Sequence, residues 1–421
     1  MERFHREKAI LVGVAQRGSS RAVAEDHLDE LQRLLDTAGG EETARFVKER
    51  AAPDPATFIG KGAAEEIGET ARRQGARLVV FDDELSPRQA RNLEEEWGER
   101  VRVIDRPGLI LDVFALHARS REARTQVELA QLQYLLPRLA GRYGHLSRLG
   151  GGIGGRGAGE QKLELDRRRI RDRLARLRRD LASIETARLV RRRGRRRHLQ
   201  VAIAGYTNAG KTTLFNRLTR DTAYAADRLF ATLDARAGRA ASPKLSDVIF
   251  VDTVGLVRKL PASLIASFRS TLAEIRDADL VLHVIDAASP RAQEEERVAI
   301  DTFAEIGVSS ERVLPVWNKA DLTSHPSRPT ELRVSARDGT GIPRLESELL
   351  RRLHPATSEF RVRIPYRSAS AIATARSRFH VLDEQDRGDA LLMRLSGERK
   401  NLQPLLKFVE GDRSRETASK N

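Results

Sequence analysis

Short apolar runs alternate with longer stretches whose apolar positions recur three and four residues apart. Residues 9–14, 77–81 and 101–104 have the length of buried strands. Residues 21–38, 63–74 and 87–97 have the spacing of amphipathic helices. Strands separated by helices predict a small, mostly parallel sheet with helices packed on it. From residue 107 the period turns helical. Leu163, Ile170, Leu174, Leu177, Leu181 and Ile184 fall at spacings of 7, 4, 3, 4 and 3, a heptad seam, and Ala123, Val127, Ala130 and Tyr134 repeat at 4, 3 and 4. Two adjacent seams predict a long antiparallel helical hairpin. Its tip is the glycine-rich run 150–159, which cannot hold structure of its own. Strand–helix alternation resumes at 199. A last module carries strands at 360–364 and 390–395, each followed by a helix, the first over 368–382.

The chain thus divides into an N-terminal α/β domain (1–106), a helical hairpin (107–190), a basic linker (191–197), a second α/β domain (198–356), a small α+β C-terminal domain (357–412) and a polar tail (413–421) expected to be disordered.

Composition narrows the functions. The chain of 421 residues has no cysteine, which excludes disulfides and thiolate metal sites. Its histidines show no metal-ligand spacing. No apolar run approaches bilayer length, and the N-terminal stretch lacks the long apolar core and cleavage site of a secretory signal. A cytoplasmic protein with no stable membrane insertion is expected, with monomer as the default state. The net charge of +15 is unevenly placed: residues 138–198 hold 20 Lys and Arg against 6 Asp and Glu. That excess of 14 in about one-seventh of the chain points to nucleic acid as partner. Arg156, Arg167, Arg168, Arg169 and Arg171 are the candidate RNA contacts, with a solvated helix face as the plain alternative.

Four motifs in the second α/β domain carry chemistry. Gly205-Tyr206-Thr207-Asn208-Ala209-Gly210-Lys211-Thr212 follows an apolar strand (201–204) and opens a helix that begins at Thr213, the context a phosphate-binding loop requires. Its glycines let backbone N–H groups face the phosphates, and the helix N-terminus adds positive potential. Lys211 would bridge the β- and γ-phosphates, and the Thr212 hydroxyl would ligate Mg²⁺. Asp252-Thr253-Val254-Gly255 ends the next buried strand. Asp252 would hold Mg²⁺ through water, and the Gly255 N–H would approach the γ-phosphate. Asn318-Lys319-Ala320-Asp321 ends another strand. The Asp321 carboxylate can accept from guanine N1–H and N2–H₂, a donor pair adenine lacks. Ser335-Ala336-Arg337, after a strand at 331–334, would place a backbone N–H near guanine O6. Together they predict a P-loop GTPase domain that binds GTP and GDP and uses Mg²⁺. Between the first two motifs lies Leu229-Phe230-Ala231-Thr232-Leu233-Asp234. Phe230, Ala231 and Thr232 would close on the nucleotide, with Thr232 on Mg²⁺ and the γ-phosphate; Thr222 is the competing threonine. Lys211, Thr232 and Gly255 are the candidate catalytic groups. The position after Gly255, where many GTPases carry a water-orienting glutamine, is Leu256, so a partner is expected to complete the hydrolytic site.

Residues outside these motifs carry a resemblance over about residues 9–409. Asp105-Arg106-Pro107-Gly108-Leu109-Ile110-Leu111-Asp112-Val113-Phe114-Ala115, Gln126-Val127-Glu128-Leu129-Ala130-Gln131-Leu132, Gly157-Ala158-Gly159-Glu160 and the stretch 229–234 resemble HflX, a family of ribosome-binding GTPases in the Obg/HflX superfamily. The resemblance implies binding to the large ribosomal subunit and its rRNA, and GTP hydrolysis stimulated by that subunit. It also implies separation of ribosomal subunits or rescue of stalled ribosomes under stress, with the hairpin tip near the peptidyl transferase region. Some members are thought to bind ATP in the N-terminal domain. There the segment Phe58-Ile59-Gly60-Lys61-Gly62-Ala63 carries its lysine two residues early, with Ala63 at the family position, and it reads first as a structural βα turn. The competing functions are a GTP-gated switch acting on a protein or membrane partner, and an RNA-binding module with a merely structural nucleotide site.

Overall fold

A computed structural model describes residues 7–16, 20–98, 100–142, 158–194, 198–219, 221, 230, 235–259, 269–323, 331–354, 358–397 and 399–409. The chain forms two compact units, residues 1–340 and 341–421.

The first unit starts with β1 (Glu7–Gln16), α1 (Arg21–Ala38), β2 (Gly40–Arg50), α2 (Lys61–Gln74), β3 (Leu78–Phe81), α3 (Pro87–Trp97) and β4 (Arg102–Asp105). The strands run parallel in the order β2-β1-β3-β4. Side chains alternate across a strand, and β1 is buried on both faces. Ala9 and Leu11 join Leu28, Leu31 and Leu35 of α1, whereas Ile10 and Val12 join Ile67 of α2 and Leu93 and Trp97 of α3. Helix starts follow local chemistry: Ser20 caps α1, and Ser86 with Gln89 forms a capping box ahead of Pro87.

One strand of this sheet was not anticipated. β2 carries Glu41, Glu42, Arg45, Lys48 and Glu49, a composition that hides its pairing with β1. It is an edge strand, where charges are tolerated. Arg45 pairs with Glu42 and Asp29 at 2.6 and 2.8 Å, and Lys48 with Glu66 at 2.5 Å.

The helical segment also differs from expectation. The first helix is two: α4 (Arg106–His117) and α5 (Arg121–Arg142). Ser120 separates them by capping Ala123 N at 3.0 Å. Leu109, Ile110, Leu111, Val113 and Phe114 of α4 are buried in the N-terminal core. The seam Ala123, Val127, Ala130 and Tyr134 of α5 faces that same core rather than the second hairpin helix. A different stripe, Leu129, Leu132 and Leu136, meets Ile170, Leu174, Leu177 and Leu181 of α6 (Ala158–Gly194). Arg173 and Glu128 link the two helices at 2.6 Å. At 37 residues α6 is about 55 Å long. It includes residues 191–194, expected as linker, because nothing in Arg191-Arg192-Arg193 stops a helix. Residues 150–157 of the expected tip, Arg156 among them, lie outside the described residues, while Ala158 and Gly159 open α6.

The second sheet contains β5 (Leu199–Gly205), α7 (Lys211–Leu218), β6 (Arg236–Arg239), β7 (Val248–Asp252), α8 (Arg269–Arg276), β8 (Leu280–Asp286), α9 (Ala292–Glu305) and β9 (Val313–Asn318). The order is β6-β7-β5-β8-β9, antiparallel only at β6. The strand expected at 331–334 is reduced to a bridge between Arg333 and Trp317, with Trp317 N donating to Leu332 O and Val334 N to Trp317 O. The chain turns at Ser335 before a longer ladder forms.

The second unit holds α10 (Ile342–Leu353), β10 (Ser358–Pro365), α11 (Ala369–Arg378), β11 (His380–Asp386), β12 (Ala390–Gly397) and a 3-10 helix (Arg399–Phe408). Its antiparallel sheet, β10-β12-β11, encloses Val362, Ile364, Met393, Leu395 and Leu405. The helix expected over 368–382 stops at Arg378, because Phe379 turns into this core and Val381 pairs with Leu395 on β12. Pro404, which lacks an N–H, sits within the closing 3-10 helix. Among the described residues no helix is long and apolar enough to cross a membrane.

Candidate nucleotide-binding site

The site forms at the C-terminal ends of β5, β7 and β9. β5 ends at Gly205, and residues 206–210 curl into the start of α7. Gly210 caps α7 at φ +87°, and a Cβ there would stand 2.3 Å from Asn318 Nδ2. Asn208 also has positive φ, as turn asparagines do. Gly255 is equally confined. A Cβ on it would fall 2.6 Å from Thr207 Cγ2 and 3.1 Å from Lys211 Nζ. The first two motifs thus meet around Lys211, with room only for a glycine.

Lys211 is buried and its Nζ donates to Tyr206 O at 2.7 Å. Burial pushes its pKa down to about 8, with the nearby Asp252 carboxylate opposing. An anion beside the ammonium reverses such a shift. Thr212 Oγ1 donates to Asp252 Oδ2 at 2.8 Å. Thr213 is half-buried in the first turn of α7. Asp252 and Thr253 are fully buried, and Thr253 Oγ1 anchors to Ile203 O at 2.8 Å. Val254 packs into the N-terminal core. Leu256 sits in the apolar cluster with Ala202 and Ile275, so its side chain takes no part in the site.

Asn318 joins the third motif to the first and fourth. Its Nδ2 donates to Ala209 O at 2.9 Å, and its Oδ1 accepts from Ala336 N at 3.0 Å. Lys319, at φ +63°, reaches Asp286 at 2.6 Å. Asp321 is exposed on the turn after β9. Ser335 is buried and Arg337 exposed, with the carbonyls of Ala336 and Arg337 both accepting from Arg217 of α7. Phe230 is buried, with its ring edge-on to Phe114 at 4.6 Å. Ala231, Thr232 and the competing Thr222 lie outside the described residues. On α6, Arg168, Arg169 and Arg171 are exposed and Arg167 is half-buried; Arg169 lies 3.4 Å from Asp166.

Motif reading missed a buried polar cluster behind the phosphate loop. Arg106 donates to Asp82 and Glu30, and Tyr206 OH donates to Glu30. Lys259 Nζ reaches Asp82 and Asp83 at 2.5 Å each. Burial opposes ionisation of Asp82, but Arg106 and Lys259 hold its carboxyl below the usual range. Burial and the Glu30 carboxylate push the Tyr206 phenol well above its ordinary pKa, so it stays a donor. Arg106, within the stretch 105–115, and Tyr206, within the phosphate loop, both stand out in the sequence, but nothing there joins the two.

The fold and the convergent motifs define a P-loop GTPase. Residues 25–115 match the family described as GTP-binding GTPase N-terminal, residues 117–195 the GTP-binding GTPase Middle Region, and residues 200–319 the 50S ribosome-binding GTPase family. The GTPase HflX of Caldanaerobacter subterraneus subsp. tengcongensis is 43% identical over 90% of this chain and 88% of its own length. That of Escherichia coli is 42% identical over 85% of each chain, and that of Magnetococcus marinus 37% identical over 93% and 95%. A solved GTP-binding protein from Sulfolobus solfataricus in complex with GDP is 23% identical, with a TM-score of 0.43 over 82% of this chain and 98% of that one. The chain belongs to the HflX family of GTP hydrolases.

Proposed function

We propose that this GTPase binds the large ribosomal subunit and couples GTP binding and hydrolysis to ribosome dissociation or the rescue of stalled ribosomes in the cytoplasm. The observation that carries this is the paired α5 and α6, where a 37-residue helix exposes Arg168, Arg169 and Arg171. Exposed arginines on a long helix suit the phosphate backbone of rRNA. The description of the family matched by residues 200–319, 50S ribosome-binding GTPase, supports the same partner.

Within the site, residues 205–213 wrap the phosphates, Lys211 meets the β- and γ-phosphates, and the Gly255 N–H meets the terminal phosphate. Asp321, with the loop at Ser335, Ala336 and Arg337, reads guanine; Asn318 holds that loop and the phosphate loop together, and Lys319 beside it pairs with Asp286. The donors near the phosphates suit Mg²⁺: the hydroxyl of Thr212 and the carboxylate of Asp252 are hard oxygen ligands 2.8 Å apart, which leaves positions for phosphate and water. Thr232 would complete them. When bound, the ion neutralises charge on the phosphate oxygens. Phe230 and Thr232 belong to the segment that closes on GTP and opens after hydrolysis.

The test is GTP hydrolysis by the purified protein with and without large subunits, alongside subunit separation read by sedimentation. Stimulation and splitting together support the reading. Guanine-nucleotide binding with neither effect overturns it and points to a switch acting on another partner.

A further inference from the structure

The N-terminal sheet reaches the nucleotide site through groups that nucleotide binding alone does not call for. Glu30 on α1 accepts from both Arg106 and the Tyr206 hydroxyl. That hydroxyl accepts the backbone N–H of Arg258 at 2.9 Å, and Arg106 Nε donates to the Arg258 carbonyl at 3.2 Å. Both backbone groups of Arg258 are therefore held, one through Tyr206 and one by Arg106. Arg258 lies three residues beyond Gly255. The next residue, Lys259, has φ +50°, a conformation that costs a lysine about 1 kcal/mol, and Asp82 and Asp83 hold its side chain. Val254 and Val257 are packed in the N-terminal core on either side of Gly255. Tyr206 itself belongs to the phosphate loop and gives its carbonyl to Lys211 Nζ. One residue thus touches Lys211 with its backbone and the turn behind Gly255 with its side chain.

We propose that Glu30 and Arg106 are positioning residues for GTP hydrolysis, which act through Tyr206 and the backbone of Arg258 to fix where the turn presents Gly255 to the terminal phosphate. The proposal rests on reading 205–212 as the phosphate loop and 252–255 as the γ-phosphate turn. Its physical basis is the burial of Leu256. With no water-orienting side chain after Gly255, the geometry here is set by backbone, and backbone is held only by what anchors it. Displacement of a catalytic group by about 1 Å costs on the order of 100-fold in rate.

The test is Tyr206→Phe in the full chain, which removes one oxygen and keeps the ring in its buried place. Single-turnover GTP hydrolysis is expected to fall at least tenfold while GDP affinity changes less than twofold, because the hydroxyl points to Glu30 rather than to the loop backbone. Glu30→Ala is expected to fall likewise. Glu30→Gln, whose single amide oxygen can still accept from the phenol but whose NH₂ then faces Arg106, is expected to keep more of the rate than Glu30→Ala. The double variant Glu30→Ala/Tyr206→Phe is no slower than the slower single variant. A wild-type rate or a faster rate in Tyr206→Phe overturns the proposal. So does an equal loss of rate and GDP affinity with a lowered melting temperature, which marks a purely structural role. Failure of the wild-type protein to bind guanine nucleotide sinks the underlying site reading instead.

Discussion

Asn318 offers the sharpest test of how the nucleotide site is assembled. Its side chain is buried and spans two motifs, accepting from Ala336 N at 3.0 Å and donating to Ala209 O at 2.9 Å. Asn318→Ala removes both bonds. Ala209 and Ala336 are themselves buried, so each orphaned backbone group costs about 1–3 kcal/mol. Without nucleotide the loops can relax toward water and recover part of that cost. The bound state, which needs both loops in place, bears the rest, about 2–4 kcal/mol. GDP binding is then weakened by about 30- to 1,000-fold. Titration calorimetry with GDP and Mg²⁺ measures the loss, and the melting temperature without nucleotide shows that the fold is intact. A folded variant with GDP affinity within threefold of wild type would refute the claim that this side chain joins the phosphate loop to the base loop.

Other expectations follow from the same structure. Asp321→Asn exchanges the acceptor for guanine N1–H and N2–H₂ for an amide, so GTP should lose at least tenfold in affinity while XTP gains; a preserved GTP preference, measured by competition, would remove Asp321 from base recognition. Reversal of Arg168, Arg169 and Arg171 to Glu should weaken large-subunit binding at least tenfold and lower its salt dependence by about three ions, with GDP affinity untouched; pelleting at several salt concentrations reads both. His283, buried against Phe303 in β8, has its pKa pushed down from 6.5 to about 4, first by burial and then by Lys211. Because the unfolded chain takes up this proton and the folded chain does not, stability is full above pH 6.5 and is lost as pH falls toward 4, by up to about 3 kcal/mol. His283→Leu should flatten the melting-temperature profile across that window, and an unchanged slope would exclude His283 as its source.

The nucleotide site was legible because each of its motifs is local. A phosphate loop is eight consecutive residues between a strand and a helix, and its glycines are fixed by contacts that leave no room for a Cβ. β5 and β7, which carry the first two motifs, are largely buried on both faces and read as continuous apolar runs, whereas β9 at the sheet edge alternates buried with more exposed positions. Legibility failed where burial is one-sided. β2 is an edge strand whose charges conceal a parallel pairing, and β11 is exposed along residues 382–386, so its sequence resembles the end of a helix. The strand at 331–334 failed differently: its apolar residues are buried, but only one bridge to β9 forms before the turn.

The seam on α5 shows a second limit. Periodicity tells which positions of a helix are buried but not against what. Ala123, Val127, Ala130 and Tyr134 form a true stripe, yet it lies on the N-terminal core, and the contact with α6 is made by Leu129, Leu132 and Leu136 nearly half a turn away. A helix with two apolar stripes must be clamped between two bodies. α5 is thus held by the N-terminal core on one side while it carries α6 on the other. The same core takes in Phe230, Val254 and Val257 from the GTPase side. α6 therefore packs on a helix whose other stripe shares one core with Val254 and Val257, the residues on either side of Gly255. No spacing within the sequence encodes that adjacency, because residues 30, 106 and 206 come together only when the two sheets pack.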